Sequence, residues 1–449
     1  LIAVGYMYES TINPKLVSNG KKDGLIIKYN KDGEIEWYKN YGGSEDDEFT
    51  DVKEKKFANG NNSEYLIVGS TCSSDISGVS NKTTNDKEGV TLRVDSSGNI
   101  IKSYFSEQYG EEVSFVSDDG GTSSISYMYY SCQINENQIK YFLGTGVIGN
   151  VADSDWVPNI QTAAISATGG CKVGGIYGNP AKKSSSISTV NFTGTATIKS
   201  GISDEKTATS GSGIQSSLVL FIDYSMSDTC QYTQISSTKN IQLTGVTETE
   251  DGNILVYGSF DGTVTVGSDT ATSKGGYDIM MAKFDTSGNY IANSLFTFGG
   301  PQDDVVSSVK ATKDGGLLVG GYHYSTTVDI DGDGVNDITQ VNKSTTATQY
   351  YSDGFVVKFD GQDLSDTATF SFVDQIAGTG FEEVTSVAEM TNSKNEPVYV
   401  AAGCFDSPTV DAAQEEGVFT SKGNTDSFII GYGDVTKEEE IPQTQEVTV

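Results

Sequence analysis

One passage of this sequence occurs twice. DGLIIKYNKDGEIEWYKNYGGSEDDEFTDV, beginning at Asp23, returns as YDIMMAKFDTSGNYIANSLFTFGGPQDDVVSSV from Tyr277, with an apolar run, a glycine turn, a second run, a Gly-Gly pair and paired acids in the same order. A chain made of copies of one unit is confined to architectures in which each copy buries its faces against the next. The unit therefore constrains the fold before any single residue does.

Two kinds of strand recur within it. The first ends in Val-Gly or a near equivalent, at Gly5, Gly69, Gly144, Gly174, Gly258, Gly320 and Gly403. These are seven copies spaced on average about 66 residues apart, enough for a four-stranded sheet with its turns. The second kind is an acid or Ser followed by an apolar run: DGLIIKYN, EGVTLRVD, SSLVLFID, YDIMMAKFD, DGFVVKFD and DSFIIGYGD. An uninterrupted apolar run reads as a strand covered on both faces, whereas FTDVKEK alternates as a half-exposed strand does. Asp-Gly and Ser-Gly turns at Lys31–Gly33, Ser96–Gly98 and Thr286–Gly288 close hairpins. No amphipathic helix is visible, and 51 Gly against 7 Pro with 24 Tyr suits short strands and tight turns.

Antiparallel four-stranded sheets with two apolar faces bury both by stacking, and radial closure leaves few exposed edges. The expectation is an all-β chain, a β-propeller of seven four-stranded antiparallel blades, with six as the alternative. An open β-solenoid is disfavoured because its coils are much shorter than this unit. The count is weakest between Gly144 and Gly174, where only 30 residues intervene and the apolar run is expected near Asp155 to Ile160. The propeller is expected over residues 1–434. VTKEEEIPQTQEVTV at 435–449 loses the repeat and reads as an acidic linker toward a further module or anchor. The first copy lacks an opening strand and the last a fourth, and LIAVGYMYES is neither a start nor a signal peptide. A processed or truncated N-terminus is expected, with upstream residues completing the ring.

The unit DxFVxKxDxxGN, followed by YxGGxxxDxxxxV and VxGxT, resembles the bacterial β-propeller repeat called the SBBP repeat. The resemblance is strongest from Asp23 to Ser74 and from Thr249 to Phe405, and weakest from Glu112 to Gln215. It implies a secreted or surface-attached bacterial protein, often carrying further modules.

The sharpest local motif is DIDGDGVND. Asp329, Asp331, Asp333 and Asp337 take positions 1, 3, 5 and 9 of a DxDxDGxxD loop, and Val335 offers a backbone carbonyl from position 7. Calcium needs six to eight hard oxygens at flexible distances, which alternate carboxylates on a curled loop supply. Gln340 stands where an EF-hand places its bidentate Glu, and no helices flank the loop. The motif instead resembles the calcium loops between strands of integrin-type propellers, which implies an ion that stiffens the insertion from Tyr322 to Asp353 in a calcium-rich exterior.

Other candidates read as scaffold. The acid pairs Asp46/Asp47, Asp303/Asp304 and Glu382/Glu383 resemble glycosidase carboxylates in type, but recurrence at equivalent positions makes them turn and strand-entry residues bonded to backbone N–H groups. His323 is the chain's one histidine, so a triad or multi-His centre has nothing to build on. The Gly pairs lack the context of a dinucleotide fold. Five scattered cysteines, Cys72, Cys132, Cys171, Cys230 and Cys404, have no zinc spacing and read as buried free thiols, with a disulfide open in an oxidising compartment. Tyrosines such as Tyr127, Tyr129, Tyr130, Tyr350 and Tyr351, with Trp37 and Trp156, are read as packing residues before ligand platforms. The sequons at Asn61, Asn81, Asn191 and Asn342 mark expected loops or edges.

Charge narrows the partners. A net charge of −32 with a single arginine, Arg93, repels a phosphate backbone, so nucleic acid and anionic membrane are poor partners. No apolar stretch reaches the roughly 20 residues of a membrane helix. The expectation is a non-enzymatic, calcium-stabilised binding or adhesion module outside a bacterial cell or on its surface, facing a protein or glycan ligand or copies of itself. The alternatives are a structural subunit of a surface fibre or layer, and a polysaccharide-binding or polysaccharide-degrading propeller.

Overall fold

The computed structural model describes residues 1–8, 16–56, 63–76, 87–105, 112–118, 125–135, 137–147, 161–179, 185–200, 204–223, 230–340, 351–362, 368–412, 417–421 and 425–433. Among them there is no helix; antiparallel strands form seven larger sheets and one two-stranded ribbon. Sheet 1 holds Ile2–Met7, Asp23–Tyr29 and Ile35–Tyr41, and sheet 2 holds Asp47–Lys56, Ser63–Thr71, Glu88–Val94 and Ile100–Phe105. Sheet 3 is built on Glu112–Asp118, Ile125–Asn135, Gln138–Val147 and Gln161–Ala167. Sheet 4 is built on Cys171–Gly178, Ser185–Thr193, Gln215–Asp223 and Cys230–Ser237. Sheet 5 holds Asn240–Glu248, Ile254–Asp261, Asp278–Phe284 and Phe296–Phe298, and sheet 6 holds Asp304–Ala311, Leu317–His323, Asp353–Phe359 and Phe370–Gly378. Sheet 7 comprises Glu382–Thr391, Pro397–Phe405 and Asp426–Gly433.

Each sheet is a meander, four strands in sequence order where all four are present. The apolar runs are the third strands, and they are covered on both faces as their composition requires: Asp278–Phe284 and Asp353–Phe359 are buried at every position. Hairpins to the fourth strand turn on glycines with positive φ at Gly33, Gly98 and Gly288, where the preceding Asn30, Asp95 or Asp285 carboxamide or carboxylate accepts two backbone N–H groups.

The first strands share a device absent from the sequence reading. All six carry a β-bulge at an equivalent place, leaving Thr50, Ser114, Gly174, Thr244, Ser307 and Thr385 without a partner residue on the second strand. The bulge pushes a carbonyl onto the neighbouring strand. A Cβ on Gly69, Gly258, Gly321 or Gly403 would collide with the carbonyl oxygen of Glu48, Gln242, Val305 or Glu383. This close approach is the physical content of the Val-Gly signature.

Three signature glycines miss this place: Gly320 lies one residue before it, the position being filled by Gly321, and the other two stand on other strands or in the bulge itself. Gly144 lies in the third strand of sheet 3, and Gly174 is itself the bulged residue of sheet 4. The second strands there place Cys132 and Val190 opposite the bulge, so the glycine spacing fails in this stretch although the strand order persists. The third strand of sheet 3 is Gln138–Val147, and the Asp155 to Ile160 segment lies outside the described residues, as does 435–449.

Neighbouring sheets pack face to face. One cluster joins Ile279, Met281, Phe296 and Phe298 of sheet 5 to Val306, Leu317, Phe355 and Phe359 of sheet 6. Equivalent clusters join sheets 3 and 4, 4 and 5, 6 and 7, and 1 and 2. Ile429 of sheet 7 packs on the cluster of Met7, Leu25 and Ile27 in sheet 1. Fully burying each such side chain contributes about 1.5–3 kcal/mol. Polar links tie the bulges to the next sheet: Asn191 of sheet 4 accepts from Leu243 N at 2.8 Å and donates to Leu243 O at 2.9 Å, and Val387 N donates to Ser308 Oγ at 3.2 Å.

In sheets 4, 5 and 7 the connection between second and third strands projects as a two-stranded ribbon that extends the outer strand of the preceding sheet. Thr195–Ser200 with Asp204–Thr209 pairs onto Gln161–Ala167, Thr263–Val266 with Asp269–Thr272 onto Cys230–Ser237, and Thr409–Ala412 with Gly417–Thr420 onto Phe370–Gly378. The ribbon of sheet 6, Thr327–Val328 with Ile338–Thr339, sits beside sheet 5 through a Gly299–Asp329 bridge.

Candidate functional sites

One acid of each repeated pair is held by the scaffold, while Asp46 is exposed and Glu383 half-buried. Asp47 accepts hydrogen bonds from Gly43 N at 2.9 Å and Ser73 Oγ at 2.7 Å, and Asp304 accepts from Gly300 N at 2.6 Å and Ser325 Oγ at 2.8 Å. Glu382 accepts from Ser407 Oγ. Asp303 accepts from Tyr277 N at 2.8 Å. A Cβ on the first glycine of each Gly-Gly pair, Gly42 or Gly299, would strike Asp23 or Asp278 on the third strand of its own sheet. The Gly-Gly-acid passage is therefore a joint between consecutive sheets. Burial raises Asp278 to about 6 and Asp304 to about 7, and Oδ1 of each is buried without a hydrogen-bond partner among the described residues.

The aspartate motif forms the tip of the sheet 6 ribbon. Asp329, Asp331 and Asp333 each bring a carboxylate oxygen within 4.8 Å of the others. Positive φ at Gly332 and Gly334 curls the loop, and Gly332 N and Gly334 N donate to Asp329 at 2.8 and 3.1 Å. Asp337 uses one oxygen to accept from Ile330 N at 2.7 Å, and burial together with Asp331, Asp329 and Asp333 raises its pKa. Val335 is 64% exposed. Val328, Ile330 and Ile338 bury their side chains in the cluster of sheets 5 and 6 and so fix the loop's base. Like charges this close repel unless a cation lies among them, and all the oxygens are hard donors of the kind calcium or magnesium takes. Of the five residues assigned from the sequence, three converge directly. Asp337 braces the loop, and Val335 stands at its exposed side.

A second polar cluster went unseen in the sequence because its members come from four sheets. Tyr177 and Glu248 end the first strands of sheets 4 and 5, Lys310 sits near the end of that of sheet 6, and Lys53 lies on that of sheet 2. Lys53 Nζ stands 5.9 Å from the centre of the Tyr177 ring, whose hydroxyl donates to Glu248 Oε2 at 3.4 Å. Tyr177, Thr247, Glu248, Thr249, Glu250, Lys310 and Ala311 line a cavity of about 350 Å³. Lys310 is reached by solvent yet hemmed in by protein, and this burial lowers its pKa despite nearby Asp51, with Lys53 adding to the effect. Burial likewise raises Glu248, with Glu250 contributing. The one sequence signal for this cluster is its place, three or four residues after each bulge.

The remaining candidates have structural partners. His323 is buried, with Nδ1 2.9 Å from Ser325 O and Nε2 3.0 Å from Gln375 Nε2. Asn191 is a buried mid-strand residue bonded to Leu243, so its sequon is not a surface loop, and Asn61, Asn81 and Asn342 lie outside the described residues. Trp37 donates to Ser96 O at 3.0 Å; Trp156, Tyr350 and the side chains of Tyr127, Tyr129, Tyr130 and Cys132 lie outside the described set. Cys72, Cys171, Cys230 and Cys404 form no disulfide with one another; Cys171 and Cys230 are buried and Cys72 and Cys404 half-buried. No family model matches the chain, and no curated protein matches it.

Proposed function

We propose that the chain is a seven-bladed β-propeller of the SBBP-repeat type, stabilised by calcium, that works by binding rather than by catalysis outside a bacterial cell or on its surface. The observation that carries this reading is the different fate of two sets of acids. One acid of each repeated pair, Asp47, Asp304 or Glu382, is spent on a joint between sheets, whereas Asp329, Asp331 and Asp333 converge on one another at an exposed tip. The ring reading is supported by the equivalent bulges, by the chain of inter-sheet clusters, and by Ile429 meeting sheet 1. Bound calcium would be held by Asp329, Asp331, Asp333 and Asp337 with the Val335 carbonyl, and its role is to neutralise and stiffen the tip. Isothermal titration of the apo chain with calcium should show one site that is lost in Asp331→Asn. Chelation should raise proteolytic cleavage around residues 326–340 without unfolding the rest, and unchanged cleavage with no calcium heat overturns the calcium reading.

A second reading, a structural subunit of a fibre or layer, is favoured by one observation. Ile2–Met7 is hydrogen-bonded on one side only among the described residues, and Tyr6 and Tyr8 beside it are 42% and 59% exposed. Such an edge accepts a further strand, from another copy in this reading or from upstream residues of the same chain in the first. Electron microscopy of concentrated protein showing only single particles counts against it.

A further inference from the structure

The cavity where Tyr177, Glu248 and Lys310 meet has no assigned role, and its lining restricts what enters. Its hydroxyls are spent on protein partners, Tyr177 on Glu248 and Thr249 on Asp251, but the Glu248 and Glu250 carboxylates and the Lys310 ammonium retain hydrogen-bonding capacity that an aliphatic guest would strand. A strong anion would meet Glu248 and Glu250 in a chain of net charge −32, and a strong cation would meet Lys310 and Lys53. Charge is penalised here on both sides, since burial favours the neutral form of Lys310 and of Glu248 alike. The Lys310 ammonium makes no hydrogen bond or ion pair with the described residues, although donors and acceptors surround it. The guest that suits such walls is uncharged, rich in hydroxyls that both donate and accept, and carries a C–H face for the half-buried Tyr177 ring. A volume of about 350 Å³ holds one or two sugar rings.

We propose that this cavity binds a neutral pyranose unit of a glycan, with Lys310 donating to and Glu248 or Glu250 accepting from its hydroxyls. The inference rests on the ring reading, because Lys53, Tyr177, Glu248 and Lys310 belong to sheets 2, 4, 5 and 6 and meet only if those sheets surround a common axis. It names the ligand class for a binding module whose partner is otherwise unspecified.

The test uses the full chain with glucose, galactose, mannose and N-acetylglucosamine as neutral probes, and glucuronate, glucosamine and glycine as charged ones. Saturation-transfer NMR followed by titration should show binding of at least one neutral sugar, weakened at least tenfold in Lys310→Met and unchanged in Lys199→Met, which removes an exposed lysine elsewhere. Melting curves of Lys310→Met that match the parent's verify that the fold is intact. Binding of none of the neutral sugars, binding of charged probes alone, or undiminished binding by Lys310→Met overturns the proposal. A short amine-reactive cross-linker separates the two levels. A Lys53–Lys310 cross-link without sugar binding sinks the site alone, whereas its absence sinks the ring and the site together.

Discussion

Two glycines with the same local sequence, Gly5 in LIAVG and Gly258 in ILVYG, do different work. A Cβ on Gly258 would run into the Gln242 carbonyl and Leu243 Cα, whereas a Cβ on Gly5 meets nothing within 4 Å, no bulged strand among the described residues pairing with Ile2–Met7. Gly258→Ala should therefore cost about 3 kcal/mol by overpacking against rigid backbone, while Gly5→Ala should be neutral or slightly stabilising. Denaturant unfolding of the two variants compares them directly, and equal effects would discount the bulge as the reason for the glycine. Buried acids give the same scale a pH signature. Asp278 and Asp304 hold pKa values of about 6 and 7 in the folded state against an ordinary 3.8, so the folded chain binds more protons than the unfolded one across that window. Their contribution is full below pH 4 and is lost as the pH rises through 6 to 7. Asp251 and Asp314, held near 2 by hydrogen bonds and lysine neighbours that outweigh their burial, act oppositely and lose their contribution only on further acidification. The melting temperature should fall between pH 5 and pH 8, and Asp304→Asn should flatten that decline; a slope unchanged by the substitution refutes the assignment.

At the scale of elements, the ribbons matter most and were least legible. The third strands could be read directly, because burial on both faces is written as an unbroken apolar run at Leu25–Ile27 or Phe355–Val357. The ribbons carry short alternating segments such as TVTV and DTAT, whose outward faces resemble any polar loop, and their partner strand belongs to the preceding sheet. The aspartate loop was legible because bringing alternate carboxylates together on one curl imposes a local spacing of aspartates and glycines. The cluster of Lys53, Tyr177, Glu248 and Lys310 was not, because its residues lie in four distant segments. Comparison of ribbons also explains why one of them holds an acidic loop. The sheet 5 ribbon has four-residue strands and a tip clamped by Asp269, which accepts from Tyr290 Oη and Asn293 N, both at 2.6 Å. The sheet 6 ribbon has only two-residue strands, so an ion would supply the rigidity that the short ladder lacks. Tyr290→Phe should accordingly speed amide exchange across Thr263–Thr272 while leaving the global melt almost unchanged. Exchange as slow as in the parent chain would show that the clamp is dispensable.

For the whole molecule the question is whether the array of sheets closes. Sheets 4, 5 and 6 are packed on both sides, so their core substitutions cannot distinguish a ring from an open arc. Ile429 can, because it lies in the last sheet and touches Met7, Leu25 and Ile27 in the first. In an arc those two sheets would be separate ends, and truncating a partly buried residue at an end would cost almost nothing. In a ring the same truncation opens the seam between first and last sheets, and Ile429→Ala should cost about 1 to 2 kcal/mol. Self-repulsion bears on the same seam, since a chain of net charge −32 favours expansion wherever packing is weakest. Raising the salt concentration screens that repulsion and should recover part of the loss in Ile429→Ala, more than it stabilises the parent chain. Thermal melts of both proteins at low and high salt decide the matter: a truncation without cost, or a salt response identical in the two chains, points to an open arc.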